Sequence, residues 1–136
     1  MANGLYDAAR AAFLNADIDW TADDIRAILI DTGTYTVNLS THDFLDDIPG
    51  GARVATSSAL SGKTSAAGVA DANDVTFSAV SGATVEAVVI YKHTGTESTS
   101  NLIAYMDTGM TGLPVTPNGG DITVQWANTT NRIFKL

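Results

Sequence analysis

Cysteine is absent from this sequence and charged residues are few, and each shortage excludes a class of chemistry. Without cysteine the chain has no disulfide framework, zinc–thiolate site or cysteine nucleophile. Asp, Glu, Lys and Arg form 16% of the residues, against about a quarter in an average soluble domain. The polar surface must therefore consist largely of Ser, Thr, Asn and Gly. This composition suits a protein that packs against neighbours, and it suits an ordinary acidic β domain equally well.

Positive charge is also scarce. Seven Lys and Arg residues are scattered singly, and the formal net charge is −8. A nucleic-acid binder needs clustered cations to displace counterions, so we expect no nucleic-acid partner. Even the longest apolar runs, such as residues 87–91, are far shorter than the roughly 18 residues of a membrane helix, so we expect no membrane partner. Residues 1–7 show no basic segment followed by an apolar one, so we expect no signal peptide.

One helix is predicted near the start of the chain. Within residues 5–15, the apolar side chains recur at the spacing of one helical face: Tyr6, Ala8, Ala9, Ala12 and Phe13. The length of the chain suits a single domain over residues 1–136. We divide it into an N-terminal helical arm, residues 1–15, and a β-sandwich, residues 16–136.

The rest of the sequence alternates with the period of β-strands. Residues 23–31 are ambiguous between helix and strand, but Ile25, Ile28 and Ile30 favour a buried strand. Residues 84–93 predict a central strand because their apolar run is nearly continuous, whereas residues 62–67 predict a loop. About eight short strands with regular turn signals indicate a mainly β protein, a jelly-roll-like β-sandwich with a short N-terminal helix. The predicted core rows are Val75, Phe77, Val85, Ala87, Val89, Leu102, Ala104, Ile122, Val124 and Trp126.

Two local motifs have simpler interpretations than ligand binding. Gly62-Lys63-Thr64 resembles the end of a phosphate-binding loop, but that motif needs a glycine where Ser57 stands, and a following helix. A flexible loop is the better interpretation. The acidic segment 42–47, with His42 and three aspartates, could ligate a hard cation. Without EF-hand spacing, we interpret it instead as a helical turn capped by Thr41, and we predict no metal site.

Candidates for catalysis are few. His42 and His93 are the only histidines, and no Gly-x-Ser-x-Gly elbow is present. The two glutamates, Glu86 and Glu97, lie in a predicted strand and a predicted loop, and nothing pairs them. We therefore predict no catalytic residue, no cofactor and no enzymatic activity.

Three stretches of the chain resemble a known family. Residues 27–33 with 42–55, residues 82–92 and residues 112–122 are similar to small virion structural proteins of tailed bacteriophages. The resemblance covers nearly the whole chain, and related proteins include capsid cement (decoration) proteins with a jelly-roll fold. The family has no catalytic motif, so the resemblance transfers no site residue to this sequence.

The resemblance implies a partner, a location and a state of assembly. The implied partner is the major capsid protein, whose neighbouring subunits a cement protein ties together. We therefore expect a protein made in the bacterial host cytoplasm that becomes part of the virion, on the outer capsid surface. The resemblance also implies a homo-oligomer, and we favour a dimer over a trimer. The alternative is a tail- or fibre-associated module that recognises a host glycan or receptor, which a groove rimmed by Tyr, Trp and Asp would favour.

The helical arm supplies the candidate contact with the partner. Tyr6, Ala9 and Phe13 form the apolar face of the predicted helix, and we predict that they contact the capsid. An equally weighted alternative is that this helix covers one end of the sandwich and belongs to the core.

Overall fold

Antiparallel strands dominate the computed structural model, which describes residues 3–128 and 132–136. With 33% strand and 13% helix, it confirms the prediction of a mainly β protein with one short helix. The strands are β1 (Gly4–Leu5), β2 (Ile25–Ile30), β3 (Arg53–Thr56), β4 (Thr64–Ala66), β5 (Val69–Asp71), β6 (Val75–Phe77), β7 (Ala87–Lys92), β8 (Leu102–Met106), β9 (Ile122–Val124) and β10 (Phe134–Lys135). The helix is α1 (Asp7–Leu14), and short 3-10 turns cover Leu45–Asp47, Gly50–Ala52 and Glu97–Thr99.

The largest sheet has five strands in the order β1-β8-β7-β2-β3. Strand β7 is the middle strand, which confirms the prediction of a central strand over residues 84–93. Within it Val89 lies opposite Ile28 of β2 and Tyr105 of β8. Five of its six residues are buried, so both faces of the sheet are covered. This explains why its sequence is continuously apolar rather than alternating.

The N-terminal segment is part of this sheet rather than a separate arm. Strand β1 pairs with β8, and the Tyr6 amide donates to the Ile103 carbonyl at 3.1 Å. Helix α1 is confirmed and ends in a Schellman motif, in which the amides of Ala16 and Asp17 donate back into the last turn. Residues 1 and 2 of the predicted arm lie outside the described residues.

Two smaller sheets complete the fold, one with the order β10-β5-β4 and one that pairs β6 with β9. Strands β4 and β5 form a hairpin whose two turn residues, Ala67 and Gly68, have φ of 53° and 78°. Positive φ at both positions is the geometry of a type I′ turn. The prediction of a loop over residues 62–67 is therefore wrong at residues 64–66, which form β4. Strand β4 could not be recognised in the sequence because all three of its residues are exposed and none is a large apolar residue.

All ten predicted core residues are buried. The core extends further than predicted, because Leu5, Tyr6, Ala9 and Ala12 join the same cluster as β2 and β7. The structure therefore establishes a mainly β antiparallel protein with a short helix, and the jelly-roll-like arrangement stays a prediction.

Candidate functional site

An aromatic cluster links helix α1 to the end of the described chain. Phe134 of β10 lies 6.1 Å from Phe13 and 5.2 Å from Trp20, measured between ring centroids, and the contact with Trp20 is edge-to-face. The Trp20 indole N–H donates to the carbonyls of Thr64 and Asp71 at 3.1 and 3.3 Å. These contacts fix the three-stranded sheet against the helix, so the surface between them has a defined shape.

An apolar groove runs along this cluster. Two adjoining cavities of about 370 and 260 Å³ share Phe13 and Leu136 in their walls. Within the described chain, Leu14 and Leu136 are the exposed large hydrophobic residues, with exposed fractions of 87% and 58%. We call this surface the α1 groove, defined by Phe13, Leu14, Phe134 and Leu136. Exposed leucines beside an apolar groove are typical of a surface that binds another protein.

The predicted contact residues separate into two groups. Tyr6 and Ala9 have no exposed surface, so they are core residues, and the predicted contact face is wrong at these two positions. Only Phe13 keeps partial exposure, and it lines the α1 groove. The physical reason is that helix periodicity shows which face is apolar, whereas the sheet decides what covers that face. At Tyr6 and Ala9, the alternative that these residues belong to the core describes the structure.

The buried Tyr6 hydroxyl belongs to a short chain of hydrogen bonds. It lies 2.9 Å from the Tyr35 hydroxyl, which lies 2.8 Å from Nδ1 of His42. The Asn38 amide donates to the same nitrogen at 3.2 Å. Burial raises the pKa of Tyr6 far above its usual value, so its hydroxyl stays protonated. His42 is thus held in a structural network.

The acidic segment forms a turn rather than a cation site. The Asp47 carboxylate accepts hydrogen bonds from the amides of Asp43 and Phe44 at 2.7 and 3.4 Å. Partial burial acts to raise the pKa of Asp47. The hydrogen bonds from these two amides stabilise the carboxylate and hold the pKa below its usual value. The predicted cap at Thr41 is wrong, because the 3-10 turn begins after Phe44 and the Asp47 carboxylate binds the amides at its start. Across residues 3–128 and 132–136, no three His, Asp or Glu side chains converge to hold a metal.

Each of the other chemical candidates has a structural contact. Nδ1 of His93 lies 3.2 Å from the Tyr91 hydroxyl. Glu86 accepts a hydrogen bond from the Thr32 amide at 3.2 Å, and Glu97 forms an ion pair of 2.8 Å with Arg53. The structure therefore does not bring the two histidines and two glutamates together through hydrogen bonds or ion pairs.

The Gly62-Lys63-Thr64 motif also has a structural explanation. Thr64 begins strand β4 rather than a helix, and the Lys63 ammonium donates to the Asp23 carbonyl. A phosphate-binding loop needs a helix at this point, whose N-terminus faces the phosphate. The motif therefore belongs to the start of the β4–β5 hairpin.

A second surface is polar. A cavity of about 490 Å³ is lined by residues that include Asp71, Asp74 and Trp126. Aspartate and tryptophan are two of the three residue types named above for glycan recognition, and no tyrosine lines this cavity. However, Trp126 is only 7% exposed, and its indole N–H donates to the Asn73 carbonyl at 3.0 Å. The ring therefore has little free face on which a sugar could stack.

A scan against models of known protein families finds no match. A search of curated proteins also finds no relative. Of the helices in the described parts of the chain, none has the length and apolar character to cross a membrane.

Proposed function

We propose that this chain is a non-enzymatic cement (decoration) protein of a bacteriophage, which binds and stabilises the lattice of the major capsid protein. The proposal begins with the resemblance of residues 27–33, 42–55, 82–92 and 112–122 to phage virion proteins. The observation that carries it is the α1 groove, an exposed apolar surface on a folded domain. We place the protein on the outer capsid surface, after synthesis in the bacterial host cytoplasm. The finer proposals are a jelly-roll-like sandwich and a homo-oligomer, with a dimer favoured over a trimer.

The energetics of the groove suit a lattice partner. Burying one leucine side chain contributes roughly 1.5–3 kcal/mol, so a groove with two exposed leucines gives one weak contact. A capsid presents the same contact many times. Linking two or three copies of this chain would raise the overall affinity by roughly 10²–10⁴ over a single contact. Weak single sites with strong lattice binding are what a cement protein needs.

Replacing Leu14 with glutamine is expected to weaken capsid binding without loss of stability. The side chain is 87% exposed, so the free energy of unfolding should change by less than about 0.5 kcal/mol. Loss of its burial at the interface should weaken binding at least about tenfold, which corresponds to about 1.4 kcal/mol. The measurement is cosedimentation with empty capsids of the phage that encodes the chain. Ala83→Gln, an exposed position outside the groove, is the control.

The same assay gives two results that would contradict the proposal. If Leu14→Gln and Ala83→Gln bind capsids as tightly as the wild type, the groove is not the contact. If the wild-type protein binds no capsid and no other virion part, the cement function is wrong.

The second candidate is a tail- or fibre-associated module that recognises a host glycan or receptor. The polar cavity beside Trp126 is the observation that favours it, because carboxylates there could accept hydrogen bonds from sugar hydroxyls. Two results together would favour this function over the first. The chain would bind intact host cells in a way that soluble cell-surface glycans abolish, and it would not bind capsids.

A further inference from the structure

The cationic side chains of this acidic protein fall into two groups. Five are engaged: Arg26 with Asp24, Arg53 with Glu97, Lys92 with Asp23, Arg132 with Asp71, and Lys63 with the Asp23 carbonyl. In the part of the chain that the structure describes, the guanidinium of Arg10 and the ammonium of Lys135 have neither an ion pair nor a hydrogen bond. These two free cations are 125 positions apart in sequence, so no local pattern predicts that they line the same cavity.

Both free cations lie beside the α1 groove. Arg10 lies one turn before Leu14 on α1, so the two side chains share a helix face. Arg10 borders the same 260 Å³ cavity as Leu14 and Leu136. It also lines an adjoining cavity of about 240 Å³, and Phe134 and Lys135 line the same cavity. The groove therefore has apolar walls and, where it adjoins the 240 Å³ cavity, a cationic end. Asp19 lines the 370 Å³ cavity, and its carboxylate accepts amide hydrogen bonds within its own turn.

Two sheet edges border the cationic end. Strand β1 is an edge of the five-stranded sheet, and β10 is an edge of the three-stranded sheet. Residues of both strands, Leu5 and Phe134 among them, line the 240 Å³ cavity. Edge strands carry unpaired backbone groups, and an extended peptide can add to such an edge as a further strand. The shape and the backbone at this end of the groove thus suit an extended segment.

Charge decides which segment fits. The protein has a net charge of −8, so its overall charge repels acidic groups. At physiological ionic strength such repulsion is screened beyond about 8 Å. The charges close to the groove therefore have the largest effect on which segment binds there. Complementary charges at an interface select the partner and fix its register. We propose that the α1 groove binds an extended segment of the partner protein that carries apolar side chains beside one or more carboxylates. This inference rests on the proposed function, because it specifies the partner segment at the same surface.

Peptide probes test the chemistry directly. Three blocked octapeptides, in which leucine alternates with glutamate, lysine or serine, are titrated into the ¹⁵N-labelled full-length chain. The expected result is that the Leu/Glu peptide shifts the amide signals of Arg10, Leu14 and Lys135 and binds at least fivefold more tightly than the Leu/Lys peptide. Equal binding of all three peptides, or no shift at these residues, would overturn the inference.

A charge-matched pair of variants tests the two cations. The double variant Arg10→Gln/Lys135→Gln and the control Ser58→Glu/Ser81→Glu each change the formal charge by −2. Both control serines are exposed and lie outside the groove. We expect the first variant to bind the Leu/Glu peptide and empty capsids roughly two- to thirtyfold more weakly, the range for two exposed ion pairs. The control variant should bind both as the wild type does.

The outcomes separate this inference from the function on which it rests. Capsid binding that is equal in both double variants overturns the inference and leaves the cement function standing. If the peptide binds in the groove but the protein does not bind capsids, the inference is supported and the cement function is wrong. Concentration-dependent self-association that shifts the groove signals without any peptide would show that a second copy of this chain occupies the groove, which also overturns the inference.

Discussion

Replacing Val89 with aspartate is expected to unfold the protein. Val89 has no exposed surface and lies in the middle strand of the five-stranded sheet, between Ile28 and Tyr105. A carboxyl group at this position loses its hydration without gaining a charged partner. The cost is several kcal/mol, comparable with the whole stability of a domain, about 5–15 kcal/mol. Urea denaturation followed by circular dichroism should show a large fall in the free energy of unfolding.

The matched control is Ser78→Asp, an exposed position just beyond β6. It adds the same carboxylate without burial, so its free energy of unfolding should change by less than about 0.5 kcal/mol. A Val89→Asp protein that melts at the wild-type temperature would show that the register of the central sheet is wrong.

Deleting residues 2–15 is expected to abolish cooperative folding. The deletion removes β1, which pairs with β8, and α1, whose buried face includes Ala9 and Ala12. It also removes Tyr6, which is fully buried. Burial of each large apolar side chain contributes roughly 1.5–3 kcal/mol, so the sum approaches the stability of the domain. Size-exclusion chromatography and thermal denaturation should show aggregation or the loss of a sharp transition.

Ala11→Gln provides the control for this deletion, because Ala11 is exposed on the same helix. It should fold and melt as the wild type does. A truncated protein that stays folded but no longer binds capsids would contradict the structure and support the interpretation of residues 1–15 as a separate contact arm.

The sequence predicted the elements whose apolar pattern is strong. Strand β7 and the core position Val89 followed from a continuous apolar run, and β2 followed from its β-branched residues. Strand β4 could not be predicted, because Thr64–Ala66 are small or polar and exposed. Its pairing comes from the turn at Ala67 and Gly68, where an alanine occupies a conformation that usually signals glycine or asparagine.

The candidate site was predicted only in part. Phe13 was identified, but Leu14, Phe134 and Leu136 were not, because the groove joins positions at opposite ends of the sequence. Leu14 lies off the alanine face of the helix, and its exposure depends on what covers α1. Periodicity finds the apolar face of a helix, whereas a binding groove appears only when the sheets place distant elements side by side.

The central claim, that this chain is a cement protein of a phage capsid, is tested most directly by cryo-electron microscopy of intact particles. The proposal implies that a phage encodes the chain, so particles of that phage are compared with particles from a mutant that lacks the gene. We predict density for one β domain of this size on the outer capsid surface, with the α1 groove against the major capsid protein, and its loss in the mutant. Identical shells in the two particles, or density at the tail alone, would contradict the account.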